Sequence, residues 1–516
     1  MNADRPFEML GNHKRIDEGL GIGEIYITEA PPNAVLRLRG YHWRVTAVRL
    51  RAFTDDRDEL ADEIIRNPIR MDLERTDGDI FYLENTEHDC AIFISSEAPD
   101  YVTSSIEIKN GALTVSNEGY GITIGYTAAA RDIYALMKRS YREKMQSKIP
   151  VTMSNTWGDR NGFSRINDGF MRREIEAAAK IGIDVVQTDD GWQNGSTADL
   201  SLRDERGRRF FPDFFWQINE ERFPGGVAPL AALAASHGIK SGLWFAPDTA
   251  NDYALLERDT EVLRRAYSDF GIRFFKLDMC FIENRTTAEK FLSLLSSIRA
   301  FGDDVSVQLD VTRGSRVNYL FGAEHGTVFV ENRYTKTKCY YPHRTLFNLW
   351  TLAKYLPPAR FQFEITNPDL NTENYEGDSF APALYGMDYL FASVMLSSPL
   401  FWTELQFLSE ERLSELKPIM KIFREYKAIF AEADITPIGD APSGRSHTGF
   451  MIDCGDEVYL LLFRENSPET EHSFVLPALA GKRLTRLAGT ADAAVCGDAV
   501  RFSADAPRSF GLYRYE

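Results

Sequence analysis

The sequence of 516 residues predicts three consecutive parts: an antiparallel β-sandwich, a (β/α)8 barrel and a smaller β-sandwich. Two observations predict this order. Short segments with alternating or β-branched residues occupy both ends of the chain, and apolar strand segments alternate with amphipathic helical segments between them. The expected bounds are 1–130 for the first sandwich, 131–150 for a linking helix, 151–431 for the barrel and 432–516 for the last sandwich.

The two ends of the chain read as strands separated by turn residues. GEIYITEAP, AVLRLRGYHWRVTAVRLRAF and CAIFISSEAP predict strands of the first sandwich, and VYLLLFREN and EHSFVLPAL predict strands of the last. Between the first group and the barrel, RDIYALMKRSYREKM has the apolar spacing of a helix.

The middle of the chain contains eight strand candidates with helical segments between most of them. Repeated strand–helix units over this length favour a closed (β/α)8 (TIM) barrel, with a doubly wound open sheet as the alternative. In order, the candidates are VTMSNTW, DVVQTDDGW, SGLWFAP, RFFKLDM, VSVQLDV, TVFVENR, RFQFEI and PLFW.

Composition narrows the classes of partner. The net charge of −17 argues against a nucleic acid or an anionic membrane surface as partner. We expect no membrane span, because no run of about 18 apolar residues occurs, and the first residues lack the apolar stretch of a signal peptide. Five widely spaced cysteines without a CxxC pair indicate free thiols, so the sequence predicts a cytoplasmic protein.

Acidic residues and tryptophans follow the strand candidates. The carboxyl ends of barrel strands face the active site, so these side chains should meet at one rim. One aspartate alone is typical of a helix cap or a turn, and one lysine–aspartate pair of a structural ion pair; the coincidence at one rim favours function. The residues, strand by strand, are Trp157; Asp189 and Asp190; Trp244 and Asp248; Lys276 and Asp278; Asp310 and Arg313; and Glu331 and Arg333.

This mixture of residue types is typical of a carbohydrate pocket, and glycoside cleavage needs two carboxyl groups. Asp278 suits the nucleophile, because Lys276 alternates with it along the strand, points the same way and keeps it ionised. We expect Glu331, from another strand, to be the acid, with Asp310 as its main rival. The nucleophile and acid should then lie about 5–6 Å apart, as in retaining enzymes.

Other chemistries have weaker support. The sequence contains no GxSxG elbow, P-loop or Rossmann glycine run. Its eight histidines are scattered, with no HxH or HExxH pair. The sequence therefore predicts neither a metal nor a cofactor.

The motifs NTWGD, TDDGW, GLWFAPD and KLDM resemble those of the clan D retaining α-glycosidases, especially the α-galactosidases of glycoside hydrolase families 36 and 27. The segment from DERGRRFFPDFF to HGIKSGLWF also follows the pattern of those families, and the resemblance spans about residues 151–430. It implies the family 36 layout of sandwich, barrel and small β-domain.

The resemblance also implies residue roles. Asp278 matches the family nucleophile, and Lys276 matches a lysine that binds ring hydroxyls. Asp189 and Asp190 match the pair that binds O4 and O6 of galactose. The pocket tryptophans of the family are matched by Trp157 and Trp244.

Two departures from the family pattern bear on the substrate. The strand-five motif is LDVTRG, which places Asp310 and Arg313 at the wall near the sugar O2. On strand six the acid/base aspartate appears as Glu331, and the tryptophan just before it is Phe329.

The sequence thus predicts a retaining α-galactosidase that cleaves terminal α-linked galactose from an oligosaccharide or glycoside by double displacement. An α-glycosidase for another sugar, a transglycosylase resembling the raffinose synthases and a non-catalytic sugar-binding protein remain alternatives. Because family 36 enzymes often assemble, a homo-oligomer is also expected.

Overall fold

The computed structural model describes residues 5–16, 21–29, 34–54, 59–68, 71–146, 149–158, 162–312, 317–479, 481 and 483–515. The chain forms two compact units. The sandwich unit comprises Met1–Met145, Ile282–Asn284 and Arg313–Glu324; the barrel unit comprises Gln146–Phe281, Arg285–Thr312 and His325–Glu516.

The sandwich unit contains two antiparallel sheets. Its strands are β1 (Phe7–Met9), β2 (Lys14–Ile16), β3 (Glu24–Thr28), β4 (Leu36–Leu38), β5 (Trp43–Leu50), β6 (Ala61–Arg66), β7 (Leu73–Asp77), β8 (Ile80–Asn85), β9 (Cys90–Ser96), β10 (Ser105–Lys109), β11 (Ala112–Ser116) and β12 (Ile122–Thr127). One sheet has five strands in the order β1-β4-β11-β10-β7, and the other has seven in the order β2-β3-β12-β9-β8-β5-β6.

Helix α1 (Ile133–Lys144) covers part of the seven-stranded sheet, lying against β9 and β12. It buries Ile133, Leu136 and Met137. All seven residues of β9 are buried, because the outer face of this strand is covered by α1 while Ile92 and Ile94 belong to the core between the sheets. The sandwich predicted for the N-terminal part is therefore confirmed.

The barrel unit contains a closed sheet of eight parallel strands. Closure comes from the first and last strands, whose register pairs Met153 with Leu400. This pairing confirms the predicted (β/α)8 barrel and excludes the open sheet. The strands are β13 (Met153–Asn155), β14 (Val185–Thr188), β17 (Lys240–Phe245), β18 (Phe274–Leu277), β19 (Ser306–Asp310), β20 (Thr327–Phe329), β21 (Phe361–Ile365) and β22 (Ser398–Phe401); a small hairpin of β15 (Leu202–Arg203) and β16 (Arg209–Phe210) follows β14.

Helices separate most of these strands. The described helices of the barrel unit are α2 (Asp168–Ile181), α3 (Thr197–Leu200), α4 (Ala228–Ser236), α5 (Ala250–Tyr253), α6 (Leu256–Ser268), α7 (Arg285–Arg299), α8 (Pro342–Ala353), α9 (Met387–Ala392) and α10 (Glu410–Glu432). The first of them, α2, begins where the Asn167 side chain accepts a hydrogen bond from Phe170 N and ends at Gly182, whose φ of 77° forms a left-handed cap.

Alternate residues of each barrel strand point to the barrel interior. Apolar residues of this set form one buried cluster with Trp402. The register pairs Lys276 of β18 with Gln308 of β19, so both belong to the inward-facing set. The members of the cluster are Met153, Val185, Phe274, Phe329, Leu400 and Trp402.

Two further antiparallel sheets end the chain. Their strands are β23 (Asp434–Gly439), β24 (His447–Asp453), β25 (Val458–Arg464), β26 (Glu471–Val475), β27 (Leu484–Gly489), β28 (Asp492–Cys496), β29 (Ala499–Ser503) and β30 (Ser509–Tyr515). One sheet has the order β23-β24-β25-β30-β27 and the other β26-β29-β28. Residues of both sheets, such as Leu460 and Phe502, share one core.

Among the described residues, no helix is both long enough and apolar enough to cross a bilayer. The five cysteines, which all lie in the described part of the chain, form no disulfide with one another, as the sequence predicted.

The seam of the barrel, where β13 pairs with β22, brings Gly158, which follows β13, against Trp402, which follows β22. This close contact gives a test of the barrel closure. A Cβ atom on Gly158 would overlap the backbone carbonyl of Trp402, which no rotamer change can relieve. We expect Gly158→Ala to lower the free energy of unfolding by about 1–3 kcal/mol, measured by chemical denaturation. Gly225→Ala is the matched control, since a methyl group there meets nothing within 4 Å. Equal stability of the two variants would contradict this account of the seam.

Candidate active site

Lys276 lies at the centre of the candidate site. Its side chain is 3% exposed, and its Nζ lies 3.0 Å from Asp189 Oδ2. Burial alone would lower the pKa of Lys276, but the nearby Asp189, Asp278 and Asp310 raise it above its usual value. The ammonium group also lies 4.8 Å from the ring centre of Trp402. A charged lysine thus holds several carboxylates at the rim of the barrel.

Asp278 follows β18 and is half-buried. Its two carboxylate oxygens have different donors: Trp244 Nε1 lies 3.1 Å from Oδ2, and Met279 N lies 2.6 Å from Oδ1. Met279 has a φ of 54°, a left-handed conformation that is uncommon for a residue with a side chain. The backbone turn therefore places an N–H donor on Asp278 and fixes the direction of its carboxylate.

The amide side chains of Asn155 and Gln187 form a hydrogen-bonded chain that ends on the carboxylate of Asp189. Asn155 Nδ2 donates to Asp189 Oδ2 at 2.8 Å and to Gln187 Oε1 at 2.6 Å. Gly242 on the neighbouring strand leaves the space for this chain, since a Cβ there would lie 3.2 Å from the Cβ of Gln187. Asn155, which the sequence interpretation missed, thus orients the carboxylate that pairs with Lys276. Its position two residues before Trp157, on the same inward face, is the signal that could have identified it.

Asp190 lies beyond the end of β14, within a turn that Gly191 completes with a φ of 127°. Gln193 Nε2 donates to its Oδ1 and Thr197 Oγ1 to its Oδ2. The pKa of Asp190 is raised overall. Burial is the largest cause and the charge of Asp189 adds to it, while these two hydrogen bonds lower the pKa. The turn brings both aspartates to the same rim, whereas their contact with a sugar remains a prediction.

Aromatic side chains form the walls around Lys276. Trp157 Nε1 donates to Tyr334 Oη at 3.1 Å, and Tyr334 Oη donates to Asn332 Oδ1 at 2.6 Å. Trp402, buried directly after β22, lies with its ring centre 5.0 Å from that of Phe329. Tyr334 and Trp402 were also missed from the sequence. Only the position of Trp402 at the end of the last strand carried a signal.

Asp310 ends β19 and is 5% exposed. Its Oδ1 accepts hydrogen bonds from Thr312 N at 2.9 Å and from Thr312 Oγ1 at 2.7 Å. Asp310 is one of the three aspartates whose charges act on Lys276, and its predicted contact with a substrate stays a prediction. Arg313, its predicted neighbour, lies outside the described residues.

Glu331 lies two residues beyond the end of β20 and is 0% exposed. Its Oε1 lies 2.9 Å from Arg333 Nη2 and accepts a bond from Asn348 Nδ2 at 2.8 Å. Thr345 Oγ1 donates to its Oε2 at 3.1 Å. The carboxylate thus binds helix α8, and its predicted role as the acid remains untested.

A second buried carboxyl group, Glu364 of β21, lies near Glu331. Arg333 N donates to its Oε1 at 2.8 Å. Burial and then the charge of Glu331 raise the pKa of Glu364 well above its usual value, although Arg333 opposes this shift. A glutamate within the apolar segment RFQFEI was the only sequence signal for Glu364.

Three glutamines form a polar layer inside the barrel: Gln187, Gln308 and Gln362 are all fully buried. Within the described part of the chain, Gln187 Nε2, Gln362 Oε1 and both amide atoms of Gln308 have no hydrogen-bond partner. The register pairs Gln308 with Lys276, so this layer begins at the level of the charged site.

The arrangement suits chemistry by carboxyl groups: several lie at one rim, around one cation and between aromatic walls. A metal site has no support here, since the described residues contain no group of three or more His, Cys, Asp or Glu side chains placed to hold an ion.

Comparison with known proteins gives matches over part of the chain. Residues 119–270 match the family model described as Melibiase. Alpha-galactosidase Mel36A of Lactobacillus acidophilus is 25% identical over 111 residues, which cover 22% of this chain and 14% of that protein. Alpha-galactosidase 2 of Pediococcus pentosaceus is 29% identical over 149 residues, covering 28% and 17%. The matched part thus spans less than a fifth of either relative.

Solved structures share the fold over nearly the whole chain. A variant of the GH36 α-galactosidase AgaA of Geobacillus stearothermophilus, in complex with 1-deoxygalactonojirimycin, has a TM-score of 0.68 at 12% identity, covering 96% of this chain and 77% of that one. The α-galactosidase of Lactobacillus brevis has a TM-score of 0.69 at 10% identity, covering 95% and 78%. The chain thus shares the fold of these GH36 α-galactosidases, and its residues 119–270 match the Melibiase family model.

Proposed function

We propose that this protein is a retaining glycoside hydrolase that removes terminal α-linked galactose. The observation that carries the proposal is the carboxylate of Asp278, which receives an N–H donor on each oxygen and lies beside the buried cation of Lys276. Such a carboxylate is fixed in direction beside a cation, as a nucleophile should be. The names of the relatives, all α-galactosidases, support the choice of sugar.

Two displacements would complete the reaction. Asp278 attacks the anomeric carbon, the bond to the leaving oxygen breaks, and a carboxylic acid at the rim protonates that oxygen. Water then attacks the glycosyl–Asp278 ester, and the same group, now a carboxylate, takes the proton from water. The carboxyl groups supply the whole reaction, so the proposed mechanism uses no cofactor.

Asp189 and Asp190 would set the choice of galactose. Both lie in the turn after β14, at the rim that holds Lys276. Carboxylates there can accept hydrogen bonds from O4 and O6 of a single sugar. Because O4 is axial in galactose and equatorial in glucose, a site built for one presents unpaired polar groups to the other.

The substrate class proposed is an oligosaccharide with a terminal α-galactose. Structures of AgaA variants that share this fold are complexes with raffinose and with stachyose. A preference for another sugar, or transfer to an acceptor in place of hydrolysis, would show in the products. The cytoplasmic location and the homo-oligomer remain predictions from the sequence.

The first test is a panel of aryl α-glycosides. We expect release of the aglycone from the α-galactoside, with kcat/KM on the matching α-glucoside lower by about 10⁴-fold. Asp278→Asn, nearly isosteric, should abolish turnover without changing the circular dichroism spectrum. A higher kcat/KM on the α-glucoside would refute the sugar assignment. Wild-type turnover by Asp278→Asn would refute the nucleophile.

The second test concerns the cation. Lys276→Met removes the charge that favours the ionised carboxylates, so the acidic limb of the profile of kcat/KM against pH should move to higher pH. Lys276→Arg keeps the charge and should keep that limb, although its rate falls because the geometry changes. Lys421, exposed on α10, provides the control variant Lys421→Met, which should leave the profile unchanged. An unmoved acidic limb in Lys276→Met would contradict the role of Lys276.

A further inference from the structure

We propose that the stacked imidazole rings of His447 and His472 form an acid-sensitive contact between the two sheets of the C-terminal sandwich. His447 lies on β24 and His472 on β26, and these strands belong to different sheets. The two ring centres are 5.0 Å apart, and the ring planes differ by 6°. The proposed hydrolysis uses neither histidine, so the contact goes beyond the proposed function.

Strand alternation brings both histidines to the inner face of the sandwich. On β26, His472 lies two residues before Phe474, and its register partner on β29 is Phe502. Both phenylalanines belong to the core that the two sheets share. On β24, His447 is on the same face as Met451, which packs against that core. The stacked pair therefore lies where the two sheets face each other.

Aromatic rings surround the pair. The ring centre of Phe502 lies 6.4 Å from that of His447, and the ring centre of Phe474 lies 4.7 Å from that of His472. His447 is 5% exposed, whereas His472 is partly exposed. Burial therefore leaves His447 little water to solvate a positive charge.

The hydrogen bonding of His447 favours a neutral ring. Within the described part of the chain, its Nε2 atom is buried and has no hydrogen-bond partner. A neutral imidazole can leave one nitrogen without a hydrogen, whereas an imidazolium carries a hydrogen on both nitrogens. Protonation would therefore create a buried N–H donor without an acceptor, in addition to the buried charge.

Two neighbouring strands bring cationic or titratable groups towards His447. Arg464 of β25 is its register partner and is 4% exposed. The guanidinium of Arg464 donates hydrogen bonds to backbone carbonyl groups. His472 brings the second imidazole from β26. A proton on His447 would thus add a positive charge near a cation that is already buried.

Carboxylates face His447 from two connecting segments. Glu469 precedes β26 and Asp440 follows β23, and both residues are exposed, so water weakens their attraction for a buried charge. On β29, Phe502 is the inward residue and the adjacent Arg501 is exposed. That strand therefore adds no charge to this face of the sandwich.

The balance of these groups lowers the pKa of His447 from its ordinary value of 6.5. Burial is the largest cause and the charges of His472 and Arg464 add to it, while Glu469 and Asp440 raise the pKa. Because the unfolded chain then binds this proton more readily than the folded sandwich, acid favours separation of the sheets. The stabilising contact is complete above about pH 6.5 and weakens as the pH falls below that value.

The strand next to the contact also lies against the barrel. β23 pairs with β24, where Gly439 is opposite Thr448, the residue after His447. β23 contacts α8, and Trp350 Nε1 of that helix donates to Ile438 O at 3.4 Å. Loosening of the sheets at His447 therefore affects a strand that is hydrogen-bonded to a barrel helix.

The experiment compares amide hydrogen exchange of the whole chain at about pH 7.5 and about pH 5.5, measured peptide by peptide by mass spectrometry and corrected for the intrinsic effect of pH. We expect the protection of β24 and β26 to fall by up to about tenfold at the lower pH, which is one unit below the ordinary pKa. Barrel strand β17 should keep its protection. His447→Gln stays neutral and should remove most of this difference, and His447→Phe, which keeps an aromatic ring, should do the same if glutamine disturbs the packing.

The matched control is His237→Gln, at an exposed histidine directly after α4. It should show the same loss of protection as the wild type. Exchange of the carbon-bound imidazole hydrogen, followed against pH, should give a pKa for His447 below about 6.5. A wild type without selective loss in β24 and β26, an equal loss in both His447 variants, or a pKa for His447 at or above about 6.5 would overturn the inference. Because no substrate is used, a protein that cleaves no glycoside would refute the proposed function alone.

Discussion

The candidate site depends on one buried ammonium group. Lys276 is almost without solvent contact, and a lysine in that position keeps its charge only if anions surround it. The carboxylates of Asp189, Asp278 and Asp310 meet that condition and in turn rely on the cation. Because each member stabilises the charged form of the others, the group acts as a unit.

The barrel supplies the geometry that this unit needs. The three carboxylates come from the ends of three different strands, so the direction of each is set by the sheet and by a short segment beyond it. Asp278 shows this clearly, since its two donors come from the next residue in the chain and from Trp244 of the neighbouring strand. Without the neighbouring strand, the segment after β18 would supply a donor to only one of the two carboxylate oxygens of Asp278.

Periodicity made the barrel predictable, because eight apolar segments separated by helical patterns have few packing solutions. Alternation along a strand also predicted that Lys276 and Asp278 share a face. That argument ends where the strand ends: Glu331 lies two residues after β20, and the residues that bind it, Thr345 and Asn348, come from a helix further along the chain. No local pattern carries this information. Trp402 had a local signal in its position after the last strand, but its proximity to Lys276 depends on closure of the barrel.

The polar layer of Gln187, Gln308 and Gln362 makes the protein less stable than its fold would allow. Buried amide atoms without hydrogen-bond partners are costly, and apolar residues of similar size would remove that cost. Yet Gln187 supports Asn155, which in turn orients Asp189 beneath Lys276. Selection for heat resistance alone would favour replacing this layer, and selection for activity would oppose it. The two pressures act on the same few side chains, so thermostable homologues that keep the activity should gain their stability outside the barrel interior.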